Sequence, residues 1–303
     1  MASGIKIGVA AWTDVADYYP RGMKPTDRLG FYSGEFPLVE VDTSYYAIPA
    51  PHVPAAWVAA TPDGFTFDIK AFRLFTTHQT PLRFLPPDVR ADLPPEVSGK
   101  RSLYYKDLPD RQKDDLWSMF GGTVDTLRDA GKLGVVLFQF PPWFIPGRDS
   151  YAHIDECRQR MAGYPIAVEF RNRYWLLNDG LENTLSYLRR AGISFVAVDE
   201  PQGFNSSVPP VADVTADIGI VRFHGRNGDT WEKKGLKKSS ERFDYYYSEA
   251  EMEEWAPRIA TMKSAAREIH VIMNTNNQDQ AIVNSRLTEK VLGEGLIQRP
   301  TLF

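Results

Sequence analysis

The amino-acid sequence predicts an α/β fold, a single (β/α)8 barrel of the TIM type. Short apolar segments recur eight times, polar helix-like segments separate most of them, and many apolar segments end in a polar residue. This alternation is typical of a closed parallel sheet whose strand ends carry the chemistry. The predicted strands are residues 5–11, 38–42, 65–71, 134–140, 166–170, 194–198, 220–223 and 268–273.

The length and composition of the chain agree with this fold. A bare barrel takes about 250 residues, so the 303 residues predict one barrel domain, 1–303, with one substantial insertion. Hydrophobic residues make up 43% of the chain, which is enough for a core. The 35 basic and 39 acidic residues give a net charge of −4, which argues against nonspecific binding to nucleic acid or to a membrane surface.

The N-terminus and the single cysteine indicate a compartment. Cys157 excludes an intramolecular disulfide and a cysteine-rich metal site, and it fits a reducing environment. The first residues lead into a strand without the basic start and apolar core of a signal peptide. No apolar run approaches the roughly 20 residues of a membrane span. We therefore expect a cytoplasmic protein without a membrane partner, and the oligomeric state stays open.

The elements can be justified in chain order. The fourth strand, 134–140, is a nearly continuous apolar run of the kind that parallel strands covered on both faces show. One predicted helix carries leucines at i, i+4 and i+7 and ends before Gly192, and another begins with a capping box at Ser248. The predicted helices are residues 123–130, 181–191, 248–267 and 280–292.

Residues 72–122, between the third and fourth predicted strands, form the irregular part of the chain. Prolines recur through this insertion, so we expect that no long helix or central strand runs through it. We interpret it as an excursion over the barrel mouth, and the alternative of a surface insertion without a role stays open. The prolines are Pro81, Pro86, Pro87, Pro94, Pro95 and Pro109.

Local motifs along nearly the whole chain follow the order of one known family. They are Trp12, Tyr18-Tyr19-Pro20, the run from Val39 to Tyr46, Thr77-His78, Phe138-Gln139-Phe140-Pro141-Pro142, Val168-Glu169-Phe170-Arg171 and Val221-Arg222-Phe223-His224-Gly225-Arg226. With these motifs the chain resembles the YecE-like family, also called domain of unknown function 72. The resemblance implies a TIM-type barrel whose activity is not established. A histidine that many relatives carry at the last strand is replaced by the asparagine-rich segment 274–277.

Charged residues alternate along four of the predicted strands. Since successive side chains point to opposite faces, both members of each pair share a face. On the outer face an unpaired charge would be buried against a helix at a cost of several kcal/mol. We therefore expect these charges to point into the barrel, toward its C-terminal mouth. The pairs are Glu40 with Asp42, Asp68 with Lys70, Glu169 with Arg171, and Arg222 with His224.

Glu40 and Glu169 are the candidates for acid and base catalysis. Their strands are not neighbours, so the two carboxylates can flank a substrate. Nearby cations can hold one of them ionised while burial raises the pKa of the other. His224 is the third catalytic candidate, as a proton shuttle. The alternative is that these charges pair with one another as a buried salt-bridge network.

The candidates for substrate binding surround this group. Arginine forks suit carboxylate or phosphate, amides orient polar groups, and aromatic rings offer surface to a sugar or a base. Packing, ion pairing and loop chemistry are the alternatives for each residue. The candidates are Trp12, Asp42, Tyr45, Lys70, Gln139, Arg171, Asp199, Arg222, Arg226, Asn274 and Asn276.

No cofactor is predicted. The chain lacks a dinucleotide-binding glycine motif, a phosphate-binding loop and a His-Glu-x-x-His zinc motif, and it has five histidines. A metal-independent site is therefore the first choice. A divalent cation on Glu40, Asp42, Glu169 and Asp199 stays open.

Three functions remain open at this point. The first is an enzyme with hydrolase- or lyase-type chemistry on a small anionic substrate, phosphorylated or sugar-like, which rests partly on fold analogy. The second is a nucleic-acid-binding or nuclease-like barrel, with the mouth and residues 72–122 on a phosphate backbone. The third is a non-catalytic barrel that binds a metabolite.

Overall fold

The computed structural model of the protein describes residues 4–236 and 238–298 and contains a closed barrel of eight parallel strands. The prediction of an α/β barrel of the TIM type is confirmed. The barrel strands are β1 (Gly4–Ala10), β2 (Leu38–Val41), β3 (Thr66–Lys70), β6 (Leu133–Gln139), β7 (Ile166–Glu169), β8 (Ser194–Asp199), β9 (Ile218–Phe223) and β10 (Glu268–Met273); β4 (Thr80–Pro81) and β5 (Ser102–Leu103) form a small antiparallel pair. Successive barrel strands are neighbours, and β10 closes the sheet on β1.

Helices follow most of the barrel strands, as the polar segments of the sequence predict. The helices are α1 (Arg28–Ser33), α2 (Thr43–Tyr46), α3 (His52–Ala59), α4 (Pro87–Ala91), α5 (Pro95–Ser98), α6 (Asp110–Asp129), α7 (Arg148–Arg160), α8 (Asp179–Ala191), α9 (Gly228–Trp231), α10 (Glu249–Ala265) and α11 (Gln280–Leu292). The predicted helices 181–191, 248–267 and 280–292 correspond to α8, α10 and α11. None of the described helices has the length and hydropathy needed to cross a membrane.

The expectation that residues 72–122 contain no long helix is wrong. α6, with 20 residues, begins at Asp110 inside this segment, and the predicted helix 123–130 is only its C-terminal part. The physical reason is the position of Pro109, which is the N-cap residue of α6. At the start of a helix the missing N–H of proline breaks no hydrogen bond, so the last proline of the segment marks the beginning of a helix.

Two ionic clusters lie in the barrel interior. The inner-face residues of β10 are Glu268, His270 and Ile272, followed by Asn274 after the strand. Glu268 and His270 belong to the cluster at the N-terminal ends of the strands, whereas Asn274 contacts the cluster at the C-terminal ends. Ile272, which lies between them on β10, forms a separate small apolar cluster with two other residues, Ala10 and Leu38.

Candidate functional site

Arg222 on β9 joins Glu40 of β2 to Glu169 of β7 across the barrel. Its Nε and Nη2 atoms donate to the two carboxylate oxygens of Glu40 at 2.8 and 2.7 Å, and Nη1 donates to Glu169. All three residues are 0% exposed, as is His224. We call Glu40, Glu169, Arg222 and His224 the floor cluster. The structure therefore brings four of the candidates from the sequence together at the C-terminal end of the barrel.

Hydrogen bonds fix the protonation of His224. Its Nδ1 atom accepts from the amide of Asn274 at 2.9 Å, so the proton lies on Nε2, which donates to Glu169 Oε1 at 3.0 Å. Burial lowers the pKa of His224 to about 3, although the carboxylate of Glu169 opposes the shift. Gln139 donates to the same Glu169 oxygen at 2.6 Å. The ring is therefore neutral near pH 7 and held in one tautomer.

The two carboxylates on Arg222 have opposite pKa shifts. Burial raises the pKa of Glu40, and the charges of Arg222 and Lys70 offset this only in part. Burial also acts on Glu169, but there the charge of Arg222, with support from His224 and Arg171, holds the pKa well below its ordinary value. One arginine thus binds two carboxylates whose pKa values are shifted in opposite directions.

Arg171 lies beside the floor cluster with most of its hydrogen-bonding capacity uncommitted. Its Nη1 and Nη2 atoms are 3.4 Å from Glu169 and 3.5 Å from Glu200, and its Nε atom is buried without a hydrogen-bond partner. The guanidinium group stacks over the ring of Trp231 at 4.6 Å. It is therefore a preorganised cation with donors available to an anion.

A second group of cations surrounds the ring of Tyr45 after β2. Lys70 Nζ lies 4.8 Å from the ring centroid and 2.7 Å from Asp42, and Arg73 lies 5.2 Å from the same centroid. The edge of the ring meets His78 with the centroids 5.2 Å apart. Tyr45, Asp42 and Lys70, all candidates from the sequence, therefore occupy one wall of the mouth.

Asp199 and Arg226 form a separate group. Asp199 is paired with Phe223, so its side chain points to the opposite face from Arg222, toward the helices. There it accepts from the indole N–H of Trp255 at 2.7 Å and from Arg226. Arg226 also donates to Glu254, so its donors are committed. These two candidates line a cavity of about 660 Å³ beside the mouth but do not join the floor cluster.

Trp12 and Asn276 lie at other points of the barrel end. Trp12 is 8% exposed and packs edge-on against Trp57 with the centroids 5.9 Å apart, a packing arrangement rather than an open aromatic surface. Asn276 donates to Asp14 at 3.3 Å, and its Oδ1 atom is buried without a partner. A polar group of a ligand would satisfy that oxygen.

The four carboxylates proposed as metal ligands are not gathered. Glu40 and Glu169 are bound by Arg222, Asp42 by Lys70, and Asp199 lies on the other face of its strand. Within the described ranges, no group of three histidine, cysteine, aspartate or glutamate side chains is placed to hold a metal ion. The residues present therefore do not fit the cation site that the sequence left open.

The expectation that Asp68 points toward the C-terminal mouth is wrong. Asp68 accepts from His270 Nδ1 at 2.9 Å, His270 Nε2 lies 3.0 Å from Glu268, and Glu268 pairs with Lys6 at 2.6 Å. We call these four residues the lower cluster. Lys6, Glu268 and His270 lie in the first halves of their strands. The sequence analysis looked for polar residues at the ends of strands, so it missed this group.

Two residues of the mouth were also missed, Glu200 and His78. The sixth strand was predicted to end at Val198, and Asp199, the residue after it, was taken as a substrate-binding candidate. Alternation from Val198 instead places Glu200 on the inner face, where burial raises its pKa to about 7 although Arg171 opposes the shift. His78 was recognised only as part of a motif, because no strand pattern precedes it.

Comparisons with known proteins agree with the resemblance seen in the sequence. The profile described as "Protein of unknown function DUF72" matches residues 6–301. The UPF0759 protein YunF of Bacillus subtilis is 32% identical over 285 residues, 93% of this chain and 92% of that protein. A crystal structure of a DUF72 family protein from Enterococcus faecalis superposes with a TM-score of 0.78 at 25% identity, covering 99% of this chain and 98% of that one. One from Thermotoga maritima has a TM-score of 0.72 at 26% identity, covering 95% and 99%.

Proposed function

The chain belongs to the DUF72 family of proteins of unknown function, and on that premise we propose that it is an enzyme that performs acid–base chemistry at the barrel mouth. The reaction class is hydrolysis or a lyase-type elimination. The substrate is small, polar and anionic, either phosphorylated or sugar-like. Glu169 serves as the base and Glu40 as the acid.

The opposite pKa shifts of Glu40 and Glu169 carry this proposal. An acid–base pair needs one group that keeps its proton near neutral pH and one that has lost it. Burial favours the protonated form of Glu40, whereas Arg222 favours the ionised form of Glu169. A core that served packing alone would be filled with aliphatic side chains.

The anion of the substrate is assigned to Arg171. The donors of Arg222 and Arg226 are used by carboxylates, so in this proposal these two arginines position Glu40, Glu169 and Asp199. The contacts of Arg171 to Glu169 and Glu200, at 3.4 and 3.5 Å, are long for charge-assisted hydrogen bonds. An anion that draws Arg171 away leaves the Oε1 atom of Glu169 with two donors, Gln139 and His224.

Comparative turnover of a metabolite extract tests this assignment. The extract is incubated with the wild-type protein and with Glu169→Gln, and substrates and products are followed by mass spectrometry. We expect loss of the base to slow turnover by at least about 100-fold. Glu249→Gln, which alters a surface pair with Lys290, is the matched control and should leave turnover unchanged. Full turnover by folded Glu169→Gln would disprove the role of Glu169.

A non-catalytic barrel that binds a metabolite is the second candidate. The observation that favours it is the closed bonding of the floor cluster, in which Arg222 uses Nε, Nη1 and Nη2 on Glu40 and Glu169. This function predicts a ligand that co-purifies or binds without being converted. It also predicts that Glu40→Gln retains ligand affinity, whereas the enzyme function predicts retained affinity with lost turnover.

A further inference from the structure

We propose that the mouth binds a phosphomonoester dianion between Lys70, Arg73 and Arg171, around the ring of His78. This inference rests on the proposed function, because it names the substrate class of the same site. The three cations come from the end of β3, from the segment that follows it, and from the residue two positions after β7 ends. In the barrel β3 and β7 are separated by β6 alone.

Shared aromatic neighbours bring Lys70, Arg73 and His78 together. All three lie within 5.2 Å of the centroid of the Tyr45 ring. His78 also meets the exposed ring of Trp143 with the centroids 5.7 Å apart. Aromatic walls with cations at their faces exclude water from the charges and strengthen their attraction for an anion.

The residues described balance only part of the positive charge of this group, since Arg171 lies 3.4 and 3.5 Å from Glu169 and Glu200. Asp42 pairs with Lys70 at 2.7 Å, but Arg73 has no ion pair within the described part of the chain. The Nε atoms of Arg73 and Arg171 are both buried without a hydrogen-bond partner. Two guanidinium groups with unused donors match the charge of a phosphomonoester, about −1.5 to −2 at pH 7, and its three acceptor oxygens.

His78 presents an unprotonated nitrogen to this space. Thr76 Oγ1 donates to the carbonyl of Arg73 at 3.1 Å, so it accepts from His78 Nδ1 at 2.8 Å. The Nε2 atom then carries a lone pair and has no hydrogen-bond partner among the described residues. A bound dianion would favour proton uptake at Nε2, which would then donate to the anion.

The pKa of His78 depends on the cations around its ring. Burial lowers the pKa of the ring to about 3, and the charges of Lys70, Arg73 and Arg171 contribute in that order. The rings of Tyr45 and Trp143 contact His78, and these three cations are the charged groups that act on its pKa. A dianion among the cations cancels their effect, so the pKa of His78 rises when the anion binds.

The backbone of Thr77, next to His78, is strained. Thr77 has a φ of 61°, a left-handed conformation that is rare for a β-branched residue. Its hydroxyl is buried without a partner. Strain of this kind persists where the surrounding structure holds the backbone in place, and the residue that follows Thr77 is His78.

Binding of inorganic phosphate tests the inference without requiring turnover. Affinity is measured by calorimetry at pH 7.5, and the His78 ring signal, assigned with His78→Gln, is followed by NMR from pH 7.5 down to 5. Because the pKa of His78 is about 3 in the free protein, its ring should not titrate in this range without a ligand. We expect saturating phosphate to raise the pKa by at least about two units, into the measured range. Formate, a monoanion, should bind at least about tenfold more weakly.

Arg73→Gln and Arg83→Gln form a matched pair of variants. Both arginines stack on Phe84, at 5.6 and 4.9 Å, but only Arg73 also reaches the ring of Tyr45. We expect Arg73→Gln to weaken phosphate binding about tenfold, because it removes one charged hydrogen-bonding partner, and Arg83→Gln less than twofold.

Either of two results would overturn the inference. One is the absence of any titration of His78 between pH 7.5 and 5 in saturating phosphate, and the other is an equal loss of affinity in Arg73→Gln and Arg83→Gln. Failure of the proposed function is a separate result, because an inactive protein that still binds phosphate at His78 is a metabolite-binding barrel. Conversely, turnover of a non-phosphorylated substrate by a protein that does not bind phosphate would support the enzyme function and disprove the dianion site.

Discussion

At the scale of single residues, Arg222 is the cation that binds both carboxylates of the floor cluster. It is fully buried and neutralises two carboxylates that come from opposite parts of the sheet. Removing one member of a buried ionic group leaves the others uncompensated in a low-dielectric interior. The floor cluster therefore links stability to the geometry proposed for catalysis.

Replacement of this arginine should be costly. We expect Arg222→Met to lower the free energy of unfolding by about 3–5 kcal/mol, because Glu40 and Glu169 lose their common cation. The measurement is urea denaturation at pH 7. Arg189→Met is the control, since Arg189 pairs with Asp213 at the surface with 43% of its side chain exposed, and such pairs contribute about 0–1 kcal/mol. Equal losses in both variants would contradict the prediction.

His270 in the lower cluster predicts a dependence of stability on pH. Burial opposes its charge, but Asp68 and Glu268 raise its pKa from 6.5 to about 9. A raised pKa stabilises the folded state fully below pH 6.5, and this contribution is lost as the pH rises through about 9. Against His270→Gln, we expect the wild type to gain about 3 kcal/mol at pH 6 and little at pH 10.

Denaturation of both proteins at the two pH values checks this prediction, and a difference that is constant with pH would refute it.

Glu268 contributes to the pH dependence of stability in the acid range. Burial works against its ionisation, but the bonds from His270 and Lys6 lower its pKa to about 2, so its contribution is present above pH 4.5 and lost as the pH falls through 2.

The sequence predicted the positions of single side chains where their inward or outward direction along a strand was assigned correctly. Glu40, Glu169, Arg222 and His224 share one cluster because two-residue periodicity fixes the face on which each side chain lies. The periodicity was not extended beyond Val198, the predicted end of the sixth strand, so Asp199 was chosen as a candidate and Glu200 was missed. His78 follows a segment without periodicity, and its position depends on contacts with Tyr45 and Trp143 that no local pattern encodes.

At the scale of elements, glycine marks where the chain has no room for a side chain. A Cβ on Gly134 of β6 would lie 2.1 Å from Asp68 Oδ1 and 2.9 Å from the ring of His270. The lower cluster therefore requires glycine at this point of the strand. Gly121 in α6 has open space around the same position.

These two glycines give a matched pair of substitutions. We expect Gly134→Ala to destabilise the protein by about 2 kcal/mol or more, because the methyl group separates Asp68 from His270. We expect Gly121→Ala to stabilise it by about 0.5–1 kcal/mol through helix propensity. Urea denaturation measures both, and stabilisation by Gly134→Ala would show that β6 yields more easily than this packing implies.

The sequence predicted strands better than it predicted the segment between β3 and β6. Buried parallel strands appear as apolar runs, and 134–140 is within one residue of β6 at both ends. α6 was shortened because prolines were taken to exclude helix throughout 72–122. Proline is excluded from the interior of a helix but is tolerated at its start. Predicting the bounds of α6 therefore required the interpretation of Pro109 as the beginning of the helix.

At the scale of the whole molecule, a net charge of −4 coexists with a cationic mouth. Burial and the charges of Lys70, Arg73 and Arg171 lower the pKa of His78, and burial and the charge of Arg171 lower that of Arg242. Bringing these cations together costs free energy in the unliganded protein. A ligand that neutralises them recovers this free energy, so occupancy of the mouth is coupled to the stability of the entire barrel.

Thermal unfolding in phosphate measures this coupling. A ligand at 100 times its dissociation constant stabilises the folded state by about 2.7 kcal/mol, which raises Tm by about 4 °C in a chain of this size. Phosphate also stabilises proteins generally by exclusion from their surfaces. Arg171→Met isolates the specific part, because methionine retains an apolar contact with Trp231 but has no charge. We expect Arg171→Met to lose the specific rise and Arg83→Gln to keep it. An identical rise in all three proteins would mean that phosphate acts on the surface as a whole and that the cations of the mouth are balanced without a ligand.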